Sequence, residues 1–148
     1  MDTSSVVLTG DTPEGVAEAI RASIPGAISL PDFDDDDAWV ARTALATTAA
    51  VTQGLLTPPL LLVMSGALAH HAPALGFAQR AARRAVRGYV LIDPQLPRPG
   101  QASDWPDAPV IVVLTDADDP RARDARLRGW EVLTGDAAHL VAEVAARP

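Results

Sequence analysis

The segment from Pro59 to Met64 is apolar at every position and ends abruptly at Ser65-Gly66-Ala67. A strand without polar alternation is covered on both faces, which is the situation of a central strand in a parallel sheet. Parallel neighbours cannot be joined by a hairpin and need a crossover, usually a helix. The rest of the chain has to supply those crossovers, and its pattern does.

Ser5 to Thr9 is a short apolar run stopped by Gly10. Thr12-Pro13-Glu14 predicts an N-cap followed by proline at the first helical position, with the helix continuing over Gly15–Ser23. Pro25-Gly26 marks a turn before a second short strand, Ala27–Leu30, and a helix follows from Ala38 to Gln53, ending at Gly54. After the central strand, a helix is expected over Leu75–Arg87, stopped by Gly88, and then a strand over Tyr89–Ile92. Asp93–Pro109 carries five prolines and is either a surface excursion or a lid. Val110–Leu114 is a strand and Pro120–Arg128 a helix; Trp130–Leu133 is the last strand, and Ala137–Ala146 the closing helix. Six strands interleaved with helices predict an α/β fold: a three-layer α/β/α sandwich on a mostly parallel six-stranded sheet. At 148 residues, with no linker or internal repeat, the chain is expected to be one domain over 1–148.

Composition narrows the chemistry. The absence of cysteine excludes disulfides, thiolate nucleophiles and cysteine metal sites. A net charge of −7 argues against nucleic acid as a partner, because phosphate binding needs a basic face. The densest basic patch, Arg80, Arg83, Arg84 and Arg87, reads as one solvated helix face. No apolar run approaches the roughly 20 residues of a membrane span, and Met1–Ser5 has no basic segment before an apolar core. A cytoplasmic protein is the expectation. Asp32–Asp37 lacks the ligand spacing of a Ca²⁺ loop and reads as a solvated loop near a helix start. Adjacent His70 and His71 point about 100° apart on a helix and lack a third metal ligand. No metal or cofactor is therefore expected.

The chemistry, if any, centres on Ser65. An apolar strand that breaks at a serine among small residues and turns at once into a helix is how a nucleophile elbow is built. Serine needs a base to take its proton, and the base needs a third group to hold it in one tautomer. His139 and an Asp from the turn Asp116-Ala117-Asp118-Asp119-Pro120 stand later in the chain, and Ser65, Asp119 and His139 each fall just past the carboxyl end of an expected strand. That is where the crevice of such a sheet lies. Structural roles compete: Ser65 as a small residue at a tight turn, Asp118 or Asp119 as the cap of the helix at Pro120, and His139 as a solvent-facing side chain.

These pieces resemble the α/β-hydrolase superfamily, in particular its small capless serine hydrolases that lack the first two strands. Val6–Gly10 is similar to the oxyanion strand, with Thr9 where histidine is common, and Leu60–Ala67 to the elbow. Tyr89–Pro94, including Asp93, resembles the strand after the elbow helix. The acidic turn resembles the segment that holds the acid, and Gly135–His139 the one that holds the histidine. The resemblance implies a serine esterase or thioesterase with Ser65 as nucleophile, His139 as base and Asp119 as acid. The Gly66 N–H and a donor from Gly10 or Asp11 would form the oxyanion hole. Asp116, Asp118, Asp93, His70 and His71 are secondary candidates, the two histidines at the pocket rim.

An ungapped match of Leu61–Leu75 places Gly66, and not Ser65, at the nucleophile position. That register implies a catalytically silent relative that binds a small molecule or assists a non-hydrolytic step such as a cyclisation. A third possibility is a flavodoxin-like regulatory domain, for which Gly10-Asp11 supplies only one of the clustered acids wanted after the first strand. The expected partner is a small-molecule substrate or ligand, and an uncapped sheet in a chain 48% apolar makes a homodimer plausible.

Overall fold

The structure, a computed structural model, describes residues 6–33, 37–97 and 105–147. Six strands form one sheet: β1 (Val6–Leu8), β2 (Ile28–Ser29), β3 (Leu60–Ser65), β4 (Val86–Ile92), β5 (Val110–Leu114) and β6 (Glu131–Thr134). Five helices accompany them: α1 (Glu14–Ser23), α2 (Trp39–Thr52), α3 (Ala72–Ala81), α4 (Arg121–Leu127) and α5 (Ala137–Ala145). The strand order is β2-β1-β3-β4-β5-β6 and every pairing is parallel.

Side-chain parity along the strands divides the core into two layers. Leu61 and Val63 face α1 and α5, together with Val6, Leu8, Val90 and Val113. Leu60, Leu62 and Met64 face α2, α3 and α4, with Val7, Leu91 and Val112. Helices therefore cover both faces, which is why β3 and β5 are buried throughout. Fully burying a side chain such as Leu62 or Val63 contributes about 1.5–3 kcal/mol. The amphipathic α1 buries Ala17 and Ile20 and leaves Glu14 and Glu18 in water. The edges are short: β2 has two residues and β6 four, which limits the unpaired backbone open to another chain.

Several expected boundaries move. The helix expected over Leu75–Arg87 starts earlier and stops at Ala81, followed by Arg83 in left-handed backbone (φ 59°). Val86 and Arg87 belong to β4, so the arginines 80, 83, 84 and 87 share no helix face. Gly88 is a strand residue and not a helix stop: it pairs with Leu61, and a Cβ there would come within 3.1 Å of Leu61 Cδ1. The register shifts between Leu60, opposite Val86, and Leu61, opposite Gly88, so Arg87 is the extra residue of a bulge. At α1, Pro13 occupies the cap position and no side chain caps the helix, so Thr12 is not the expected N-cap. Ser65 lies inside β3, one residue past the expected strand end. Of the expected acidic patch and excursion, residues 34–36 and 98–104 lie outside the described residues.

Among the described residues, no helix is long and apolar enough to cross a membrane.

Candidate functional site

The strand order reverses between β1 and β3, so the crevice of this sheet opens past their carboxyl ends. β1 runs out into a tight turn in which the Thr12 N–H donates to the Thr9 carbonyl at 3.1 Å. The Thr9 N–H donates to the Val63 carbonyl at 3.0 Å, holding the turn against β3. Gly10 is required here by packing: a Cβ would sit 2.2 Å from the Pro31 carbonyl oxygen and 2.4 Å from Asp32 Cα. That close approach brings the Asp32 segment over the turn.

Asp11, in the same turn, is partly buried. The Thr9 hydroxyl donates to its Oδ1 at 2.5 Å. Burial pushes the Asp11 carboxyl above its ordinary range, against the pull of the Thr9 hydroxyl and the Asp11 N–H. The Asp32 charge raises it further, and the Ser65 N–H draws it back. Asp11 follows the end of β1 and Ser65 closes β3, its parallel neighbour, so the two residues stand at the same end of adjacent strands.

Ser65 itself has relaxed extended backbone, φ −138° and ψ 152°. The left-handed residue is the next one, Gly66, at φ 61°. It opens a 3-10 segment, Gly66–His71, that leads into α3. An elbow puts the tight turn at the nucleophile, whereas here the left-handed residue is Gly66, one position past Ser65. Ser65 is 3% exposed, and its hydroxyl has no hydrogen-bond partner among the described residues. Thr12 Oγ1 and Asp11 Oδ2 are buried and unpartnered as well. Buried polar groups are nearly always satisfied; elsewhere among the described residues Trp39 Nε1, Gln79 Nε2 and Trp105 Nε1 are in the same state.

The other expected triad members are engaged elsewhere. Asp119 Oδ1 accepts from the Arg121 N–H at 2.9 Å and from Arg121 Nε at 3.0 Å, and Oδ2 accepts from Nη2 at 2.5 Å. These Arg121 hydrogen bonds hold the Asp119 carboxyl below its usual range. Arg121 also donates to the Pro94 carbonyl at 2.9 Å and lies 3.8 Å from Asp93 Oδ1. Asp93, left-handed at φ 43°, accepts from the Thr115 N–H and hydroxyl, both at 3.0 Å, and so ties the end of β4 to that of β5. Asp116 accepts from the Asp118 N–H at 2.9 Å, an Asx turn that shapes the acidic loop.

His139 lies in the first turn of α5, where its N–H donates to the capping carboxylate of Asp136 at 2.9 Å. Its side chain is 77% exposed, with Nε2 3.9 Å from Glu143. His70 Nδ1 lies 2.5 Å from the Ala67 carbonyl, which can only accept, so that nitrogen carries the proton. His71 stacks on buried Trp39, ring centroids 5.5 Å apart. Among the described residues no group of three His, Asp or Glu side chains has a metal-holding arrangement. Trp105 is half-buried, edge-on to both Tyr89 and Trp130.

Asp11, Ser65 and Gly10 thus meet at one strand junction, while Asp119 and Asp93 share a second network through Arg121. The sequence gives no warning of Arg121's role beyond the Asp-x-Arg spacing, and Thr12 is disguised there by its likeness to a helix cap. Compared with known proteins, the chain matches no family model and no curated protein sequence.

Proposed function

We propose that this chain is a catalytically silent α/β-hydrolase-like protein whose crevice, past the ends of β1 and β3, binds a small molecule without acyl transfer. The observation that carries this reading is the state of Ser65: extended backbone beside a left-handed Gly66, and a buried hydroxyl with no base hydrogen-bonded to it. Two further features support it. The His139 imidazole faces solvent beside Glu143, and the Asp119 carboxylate is taken by Arg121. The serine-hydrolase alternative rests on the chain order of Ser65, Asp119 and His139 and on their positions past strand ends.

A panel of p-nitrophenyl esters and acyl thioesters separates the two. The expected result is turnover no faster than buffer and no change in Ser65→Ala. Saturable turnover that disappears in a folded Ser65→Ala protein would establish the hydrolase instead.

A further inference from the structure

A cavity of about 170 Å³ lies at the opposite end of the sheet from the crevice. Leu61 and Ile111, near the amino ends of β3 and β5, line it together with Pro109 and with Val144 from the last turn of α5. A Cβ at Gly88 would come within 3.1 Å of Leu61 Cδ1 and 3.5 Å of the Pro109 carbonyl oxygen, so the glycine leaves room between two residues of the wall.

Arg87 and Arg147 complete the lining. Arg87, the half-buried extra residue of the β4 bulge, is held in place by a hydrogen bond from Nη2 to the Ala145 carbonyl at 3.2 Å. Its Nε is buried without a partner, and no carboxylate among the described residues lies within ion-pair distance of it. Arg147 differs: its Nη1 and Nη2 both donate to Glu131, at 2.8 Å each. One cation of the pair is thus neutralised by the fold and the other is not. A partly buried charge is costly until it is paired.

The lining specifies the chemistry of a ligand. A guanidinium is a planar fork of donors that matches a carboxylate. The carbonyl end of α5, beside the cavity, disfavours more than one negative charge. At about 30 Å³ for a water-sized group, the space admits about six heavy atoms. We propose that this cavity binds a short-chain aliphatic monocarboxylate, its carboxylate on Arg87 and its hydrocarbon tail against Leu61, Ile111 and Val144. Glu131 limits the affinity by occupying Arg147, which would otherwise add a second donor group. The site is separate from the crevice and does not depend on the silent-binder reading.

The experiment is a titration of the ¹⁵N-labelled protein with sodium butyrate at low ionic strength, read at the amides of Gly88, Ile111 and Arg147. Sodium chloride, sodium phosphate and n-butanol serve as comparators. Saturable shifts are expected with butyrate at concentrations where the comparators give none. Affinity should fall at least fivefold in Arg87→Met and rise several-fold in Glu131→Gln, whose amide no longer neutralises Arg147. If Arg87→Met does not fold, Glu131→Gln, at an exposed position of the edge strand, carries the test. Unchanged affinity in either folded variant, or an equal response to chloride, phosphate or n-butanol, overturns the proposal. So does a butyrate response confined to Asp11, Ser65 and Gly66, which would put the ligand in the crevice instead.

Discussion

Arg121 and Asp119, two residues apart, form a forked ion pair reinforced by the backbone: guanidinium Nε and Nη2 and the Arg121 N–H all donate to the one carboxylate. The same guanidinium reaches Pro94 and Asp93, so the ends of β4 and β5 are laced together through a single side chain. A carboxylate so engaged is the start of α4 and the anchor of a loop, and it has no hydrogen bond to a histidine ring.

Replacing Arg121 by Met tests that engagement. Asp119 then loses its largest source of stabilisation as an anion, so its carboxyl should titrate upward toward the ordinary aspartate value, about 3.9. The depressed native value contributes stability above the unfolded value that is lost as pH falls through the folded one, so the variant should show a weaker acid dependence of stability. Carboxyl ¹³C titration of Asp119 in the two proteins reads this directly. Identical curves would mean that Arg121 does not hold the carboxylate.

The start of α5 separates a cap from a candidate base. Asp136→Ala removes the acceptor for the His139 N–H and should cost about 1 kcal/mol, as loss of an N-cap does. His139→Ala removes a side chain that is 77% exposed and should leave stability within about 0.5 kcal/mol. Urea denaturation of both variants checks the contrast, and a larger loss in His139→Ala would contradict it.

Tyr89 is the single tyrosine of the chain and is fully buried, its hydroxyl donating to Asp107 at 2.7 Å. Burial raises its phenol above the ordinary value, and the Asp107 hydrogen bond and charge add to the shift. Because the folded value lies above the unfolded one, this stabilisation is complete below about pH 10 and is lost as pH rises further. Absorbance at 295 nm should therefore show no tyrosinate at pH 10 in folded protein, then a rise coincident with unfolding. Half-ionisation near pH 10 in a still-folded chain would contradict the buried pair. Tyr89→Phe should cost about 1.5–3 kcal/mol, the range for a hydrogen bond to a charged group.

The layered parallel sheet was legible because the runs that became β3 and β5 lack polar residues, which only two covered faces explain. Gly88 misled because glycine punctuates helices more often than it fills strands, and its reason for being there, the nearby Leu61 side chain, is a tertiary contact. The early end of α3 had no glycine to announce it, since Arg83 takes the left-handed backbone itself. At the site, the residues Ser65-Gly66 were visible but the register was not. Which of the two bears the turn is a dihedral property, and neighbouring small residues leave both options open. Asp11 offers the sequence reading only a backbone donor, whereas the partial burial of its carboxyl under the Thr9 hydroxyl depends on how β1 and β3 sit side by side. Arg121 was hidden among twelve arginines, with only the Asp-x-Arg spacing to distinguish it.

Reaction of the folded protein with a fluorophosphonate, followed by intact mass and peptide mapping against Ser65→Ala, tests the central claim most directly. The account predicts no adduct at Ser65, because no base is hydrogen-bonded to its buried hydroxyl and the left-handed turn lies at Gly66. A stoichiometric adduct at Ser65, absent from the alanine variant, would show an activated serine and contradict it.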